Sequence, residues 1–192
     1  DFDRHKDQWQ WARRKGTDLW QPVPEDRDQA FVRYSGLVLS MIRPSQPRLV
    51  DFGPNYPSIV GLTWQGRFVD RRHLAELEWP QWLEAIKALQ ASITEGSIDD
   101  AVGRLPEEYR QLTKGRTTQA LKSRLRRLPE AAGEFYKLLA TDVEIHGSDK
   151  DETATVTAVD GRLVQVRVES RQGATRFVRR FDPGETRTIR LY

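Results

Sequence analysis

The stretch DRHKDQWQWARRKGTDLWQPVPEDRD, residues 3–28, decides how the rest of the chain is read. Two short aromatic segments, residues 8–13 and 19–23, flank the turn-forming run from Arg14 to Asp18. That arrangement predicts a β-hairpin in which Gly16 is free to take a positive φ. A hairpin folds the chain back on itself, so the acids after it, Asp26 and Asp28, return toward Asp3.

The spacing before the hairpin carries chemistry of its own. Phosphoryl transfer uses an acid beside the acceptor hydroxyl, a metal-binding amide five residues later on the same loop, and a further aspartate that holds the metal against the phosphates. Here Asp3 is followed at that spacing by Gln8, and the hairpin ends in Pro24-Glu25-Asp26-Arg27-Asp28. Two acids can then meet at one metal. The competing reading makes Asp3, Asp26 and Asp28 ordinary surface acids paired with Arg4 and Arg27.

Asp3-Arg4-His5 with the amide at Gln8 is similar to the catalytic segment of the HipA-type kinases. The longer pattern, with the aromatic hairpin and the acidic run before an aromatic, resembles the spore-coat CotH-type kinases. Residues 3–11 and 22–31 also resemble a segment of large bacterial envelope proteins, where it precedes a β-rich region and often an outer-membrane barrel. This likeness extends through residues 61–64, 69–72, the helical stretch and residues 147–150, and so covers most of the chain.

The resemblance implies a kinase C-lobe-like domain with Asp3 as the catalytic acid, Gln8 as the amide ligand and Asp26 or Asp28 as the residue holding the principal metal. It implies Mg or Mn with ATP as cofactors. It also implies an N-lobe or partner chain to cover the phosphates, because no such loop, strand lysine or helix glutamate precedes Asp3. Gln8 stands where the family has Asn, which lengthens the ligand by one methylene. The implied location is the periplasmic side of a bacterial envelope, with a β-rich or barrel domain as a downstream neighbour. The alternative to an active phosphotransferase is a non-catalytic kinase-like scaffold.

Beyond the hairpin, residues 29–42 are apolar enough for a helix, and residues 43–65, rich in proline, read as an irregular loop. Asp70 is placed to cap a helix through Leu77. Pro80 suits a first turn, and Trp82, Ile86, Leu89 and Ile93 recur at helical spacing. Ser97 and Pro106 begin shorter helices. Residues 117–141 form one helix or two, because Pro129 inside the pattern should break or kink it.

Residues 146–152 read as a linker. Beyond them, residues 153–192 alternate in strands around Asp160-Gly161 and Gln172-Gly173, which predicts an antiparallel β module. The expected fold is therefore α+β: hairpin and helical body over residues 1–145, then the small β module, with flanking segments at both ends.

Composition narrows the classes further. The absence of cysteine excludes disulfides and thiolate chemistry. A net charge of +3 is too small to mark a nucleic-acid binder. The one dense basic run, Lys114 to Arg127, distributes its cations around a helix beside a Leu121/Leu125/Leu128 stripe, so a solvated helix is expected and nucleic acid is not. No apolar run is long enough to span a membrane.

Trp9, Trp11 and Trp20 are expected as cross-strand packing pairs rather than a stacking platform for nucleic acid or sugar. Asp51-Phe52-Gly53 spells a kinase metal motif, but it lies beyond the proline-rich loop and is read as a coincidental turn. His5 is expected to pack the loop, and His73 and His146 are given no role.

Overall fold

The computed structural model describes residues 3–34 and 36–192. The protein is α+β. A hairpin of β1 (Trp9–Arg13) and β2 (Trp20–Pro24) precedes the helices α1 (Leu37–Ile42), α2 (Ile59–Thr63), α3 (Arg67–Leu74), α4 (Trp79–Ser92), α5 (Glu95–Gly103), α6 (Glu107–Thr113) and α7 (Arg116–Thr141). The strands β3 (Asp142–Ile145), β4 (Glu152–Val159), β5 (Leu163–Ser170), β6 (Thr175–Phe181) and β7 (Thr188–Leu191) follow. Tertiary contacts group the chain into two units, Asp1–Val69 with Ile86–Ala131, and Asp70–Ala85 with Ala132–Tyr192. The linker-like residues 146–152 lie inside the second of these.

In the first unit the hairpin pairs Trp9 with Pro24, Trp11 with Pro22 and Arg13 with Trp20, and Gly16 takes a φ of 79° at the turn. The directly opposite partners of the tryptophans are thus proline or arginine, and Trp11 and Trp20 remain exposed at the surface. Trp9 is half-buried, with the Arg27 guanidinium 4.6 Å from its ring centre.

The helix expected over residues 29–42 is confined to α1. Residues 29–32 form turns instead, with Ala30 donating to the Arg27 carbonyl and Val32 to that of Gln29, and the Val32 carbonyl then accepts from Phe52 N–H at 2.9 Å. A backbone that pairs with a distant strand-like segment is not available to continue a helix. Ser35, inside the expected span, lies outside the described residues.

Three helix starts also differ from expectation. α2 interrupts the proline-rich loop, capped by the Ser58 hydroxyl accepting from Gly61 N–H at 3.0 Å. α3 begins before Asp70, which sits buried inside the helix rather than at its cap. α5 is capped by Thr94 in a reciprocal capping box with Ser97, so Ser97 is the third helical residue and not the first. α6 does begin just after Pro106.

α7 runs as one helix through Pro129, the single-helix form of the two expected. Proline has no N–H to offer the carbonyl four residues back, that of Leu125. Gln90 on α4 supplies the missing donor, its Nε2 lying 3.0 Å from the Leu125 carbonyl oxygen. At the preceding residue, the Tyr56 hydroxyl donates to the Arg124 carbonyl at 3.1 Å. The helix is thus sustained by side chains where its own ladder fails.

In the second unit Trp79 and Trp82 pack on α7, with ring centres 5.2 Å from Tyr136 and 5.4 Å from Phe135 respectively. β4, β5 and β6 form an antiparallel sheet in that order. Its first turn uses positive φ at Asp160 and Gly161 and its second at Gly173. The β module is not wholly antiparallel: β7 pairs in parallel with β3, Val143 opposite Ile189. β3 was not foreseen, because its four residues directly continue α7 and carry no turn signal before them.

The core of this unit joins Val143 and Ile145 of β3 to Val166 and Val168 of β5 and Phe177 and Phe181 of β6, with Ala75. Ile189 of β7 packs against it.

Candidate functional site

The hairpin register positions the candidate residues. Continuing the ladder past Trp9 and Pro24, Glu25 N–H donates to the Gln8 carbonyl at 3.1 Å. The loop bearing Asp3 and the acidic run therefore lie side by side. Arg27 secures them further, its Nη1 3.4 Å from the Asp3 carbonyl oxygen.

The loop itself is held by short-range bonds. Lys6–Gln8 is a single 3-10 turn, closed by Gln8 N–H donating to the His5 carbonyl at 3.0 Å. Trp9 Nε1 reaches back to the Arg4 carbonyl at 3.3 Å. His5 lies between two acids, Nε2 3.6 Å from Asp3 and Nδ1 3.6 Å from Asp7, as befits a residue that orders the loop. Asp3 and Gln8 are half-buried, whereas Asp26 and Asp28 are exposed.

Asp28 senses the other two aspartates. Desolvation first, then the Asp26 carboxylate and, more weakly, that of Asp3 push the Asp28 carboxyl above its ordinary value. Like charges brought together disfavour ionisation in this way, and a cation placed between them removes the penalty. Asp26 Oδ1 also accepts from Asp28 N–H at 3.1 Å, which fixes the turn that carries both.

Among the described residues no group of three or more His, Cys, Asp or Glu is arranged to hold a metal ion. A protein cage is therefore not what this arrangement offers. What the structure does show is Asp26 and Asp28 exposed on one turn, beside the backbone bond between Glu25 and Gln8.

Sequence reasoning set Asp51 apart from this region, and the structure brings it closer. Phe52 bonds Val32, and Tyr34 N–H donates to Asp51 Oδ1 at 2.6 Å. Burial, Asp3 and Asp51 all push the Tyr34 hydroxyl up, against a lowering by Arg48, so Asp3 and Asp51 act on the same ring. The Asp51 carboxylate is occupied by Arg43, 2.9 Å away, which also donates to the Tyr34 carbonyl. The residues between Asp28 and Asp51 make this return through backbone bonds, which no local pattern announces.

The basic residues of α7 are partly neutralised by α5. Lys122 lies 2.7 Å from Asp99, and Arg126 lies 2.6 Å from Glu95. His146 stacks on Tyr192, with ring centres 5.0 Å apart. No helix among the described residues is long and apolar enough to cross a membrane. In comparisons with known proteins, no family model, no curated protein and no solved structure matches this chain.

Proposed function

We propose that the chain is the C-lobe part of an atypical kinase of the CotH or HipA kind, transferring phosphate from ATP with Mg or Mn once an N-lobe or partner chain covers the phosphates. The observation that carries this reading is the hairpin register, which sets Gln8 opposite Glu25 and brings Asp28 within electrostatic reach of both Asp26 and Asp3. In this reading Asp3 orients the acceptor hydroxyl and takes its proton, while Asp26 or Asp28, or both, would hold the cation and Gln8 would offer its amide oxygen. The metal would neutralise charge developing on the transferred phosphoryl group.

Because the acids do not form a three-donor cage, the cation is expected to bind with nucleotide and only weakly without it. Calorimetric titration of Mn with ATP into the protein carrying its upstream lobe tests this. Asp26→Ala and Asp28→Ala together should weaken Mn-ATP binding at least tenfold. Binding left unchanged by the double substitution refutes the site.

A second reading is a non-catalytic kinase-like scaffold in a larger bacterial envelope protein, on the periplasmic side and beside a β-rich or barrel domain. The lack of a three-donor group among the described residues favours it. Failure of Mn-ATP to bind at all, with the upstream lobe present, would select this second reading.

A further inference from the structure

A cleft of about 340 Å³ opens within the first unit, and none of Asp3, Gln8, Asp26 and Asp28 lines it. Its volume falls at the lower end of the range that small organic ligands occupy. One wall is aromatic: Phe31 and Phe52, whose rings meet edge to face at 5.0 Å, with Tyr109 of α6 also in the lining. Phe52 is braced by the Arg124 guanidinium, 4.7 Å from its ring centre, so this wall is held in place.

The polar part of the lining has one sign. Arg33 and Arg116 both contribute charge, and among the described residues no aspartate or glutamate does. Arg116 is committed in part, its Nε and Nη2 donating to the carbonyls of Thr113 and Leu112 at 3.1 and 3.2 Å. The Arg33 guanidinium is exposed and makes no hydrogen bond or ion pair among the described residues. The α7 residues in the lining, Arg116, Thr117, Gln119 and Ala120, come from the start of that helix, whose first turn carries no acid. Its positive end adds to the same field.

An aromatic wall beside uncompensated guanidinium matches a ligand with a flat apolar body and a negative group. Planar guanidinium recognises carboxylate and phosphate alike, while the rings accept an edge or an offset face. We infer that this cleft binds a small aromatic anion, a single ring bearing a phosphate or carboxylate, with the ring against Phe31 and Phe52 and the anion at Arg33 and the start of α7.

The test uses the full chain in EDTA, so that no metal-nucleotide site contributes, and follows backbone amides by NMR during titration with phenyl phosphate, benzoate, inorganic phosphate and benzyl alcohol. Phenyl phosphate, benzoate or both should shift the amides of residues 31–33, 52–53 and 113–120 saturably. The better of the two should bind at least tenfold more tightly than inorganic phosphate or benzyl alcohol, and which one leads identifies the anion. Arg33→Gln, at an exposed position, should weaken that binding at least tenfold with an unchanged melting curve. Ala120→Leu, which fills the cleft from α7, should abolish it. Equal binding of benzyl alcohol or inorganic phosphate, saturation elsewhere on the protein, indifference to Arg33→Gln, or no saturable shift would overturn the inference.

Discussion

Arg179 on β6 is 3% exposed and makes its bond to backbone, Nη1 donating to the Ala75 carbonyl at 2.7 Å. Its plane lies 4.9 Å from the Phe181 ring centre, and its Nε has no hydrogen-bond partner among the described residues. Truncation would strand the Ala75 carbonyl and open a void beside Phe181. Arg179→Ala should therefore cost about 3 kcal/mol in urea unfolding, and Arg179→Met, which refills the volume but not the bond, about 1 kcal/mol. Gly61 poses the opposite problem: a Cβ there would collide with the Pro47 carbonyl and the Val50 side chain. Gly61→Ala should destabilise by about 2 kcal/mol, measured the same way. Glu152 sets a pH dependence. Ser148 N–H and hydroxyl, at 3.0 and 2.8 Å, hold its carboxyl below the ordinary value. A depressed folded-state pKa stabilises above the unfolded value, near 4.5, and that contribution is lost as pH falls through the folded one. The Ser148 amide resonance should titrate below pH 4.5, and Glu152→Gln should abolish that titration.

Among the elements, α7 shows most directly how a local signal is overruled. Pro129 reads locally as a break or a kink, yet the donor that rescues the Leu125 carbonyl comes from Gln90, distant in sequence. Gln90→Leu keeps the volume and removes the donor. It should cost about 1 kcal/mol and speed amide exchange in the turns around Pro129, as measured by hydrogen-exchange NMR. The hairpin and the β4–β5–β6 sheet were legible because their turns are marked by Gly16, Gly161 and Gly173 and their strands by local alternation. α5 was misplaced by one turn because Thr94 and Ser97 both have cap chemistry, and only the folded geometry decides which one occupies the cap. For a related reason the hairpin could be read but its register could not, and register alone sets Trp11 directly against Pro22.

For the whole molecule, what sequence reveals ends where distant segments combine. Asp3, Gln8, Asp26 and Asp28 could be nominated together because one hairpin joins them. Asp51 could not be brought toward them, because its return rests on the backbone bond between Phe52 and Val32 and on Tyr34. The cleft lined by Phe31, Phe52 and the start of α7 likewise draws on three separated segments. The parallel pairing of β3 with β7 belongs to the same class, since each strand is four residues long and carries little pattern of its own. Phe181 sits where that pairing matters, 2% exposed in the core that β3, β5 and β6 share. Phe181→Ala should cost about 4 kcal/mol of the second unit's stability. Fluorine-labelled tryptophan provides the readout, because Trp79 and Trp82 belong to that unit while Trp9, Trp11, Trp20 and Trp64 belong to the other. In urea, the Trp79 and Trp82 resonances of the variant should reach their unfolded positions at clearly lower denaturant than in the parent. An unshifted midpoint for those two signals would mean that the shared core does not hold the unit together.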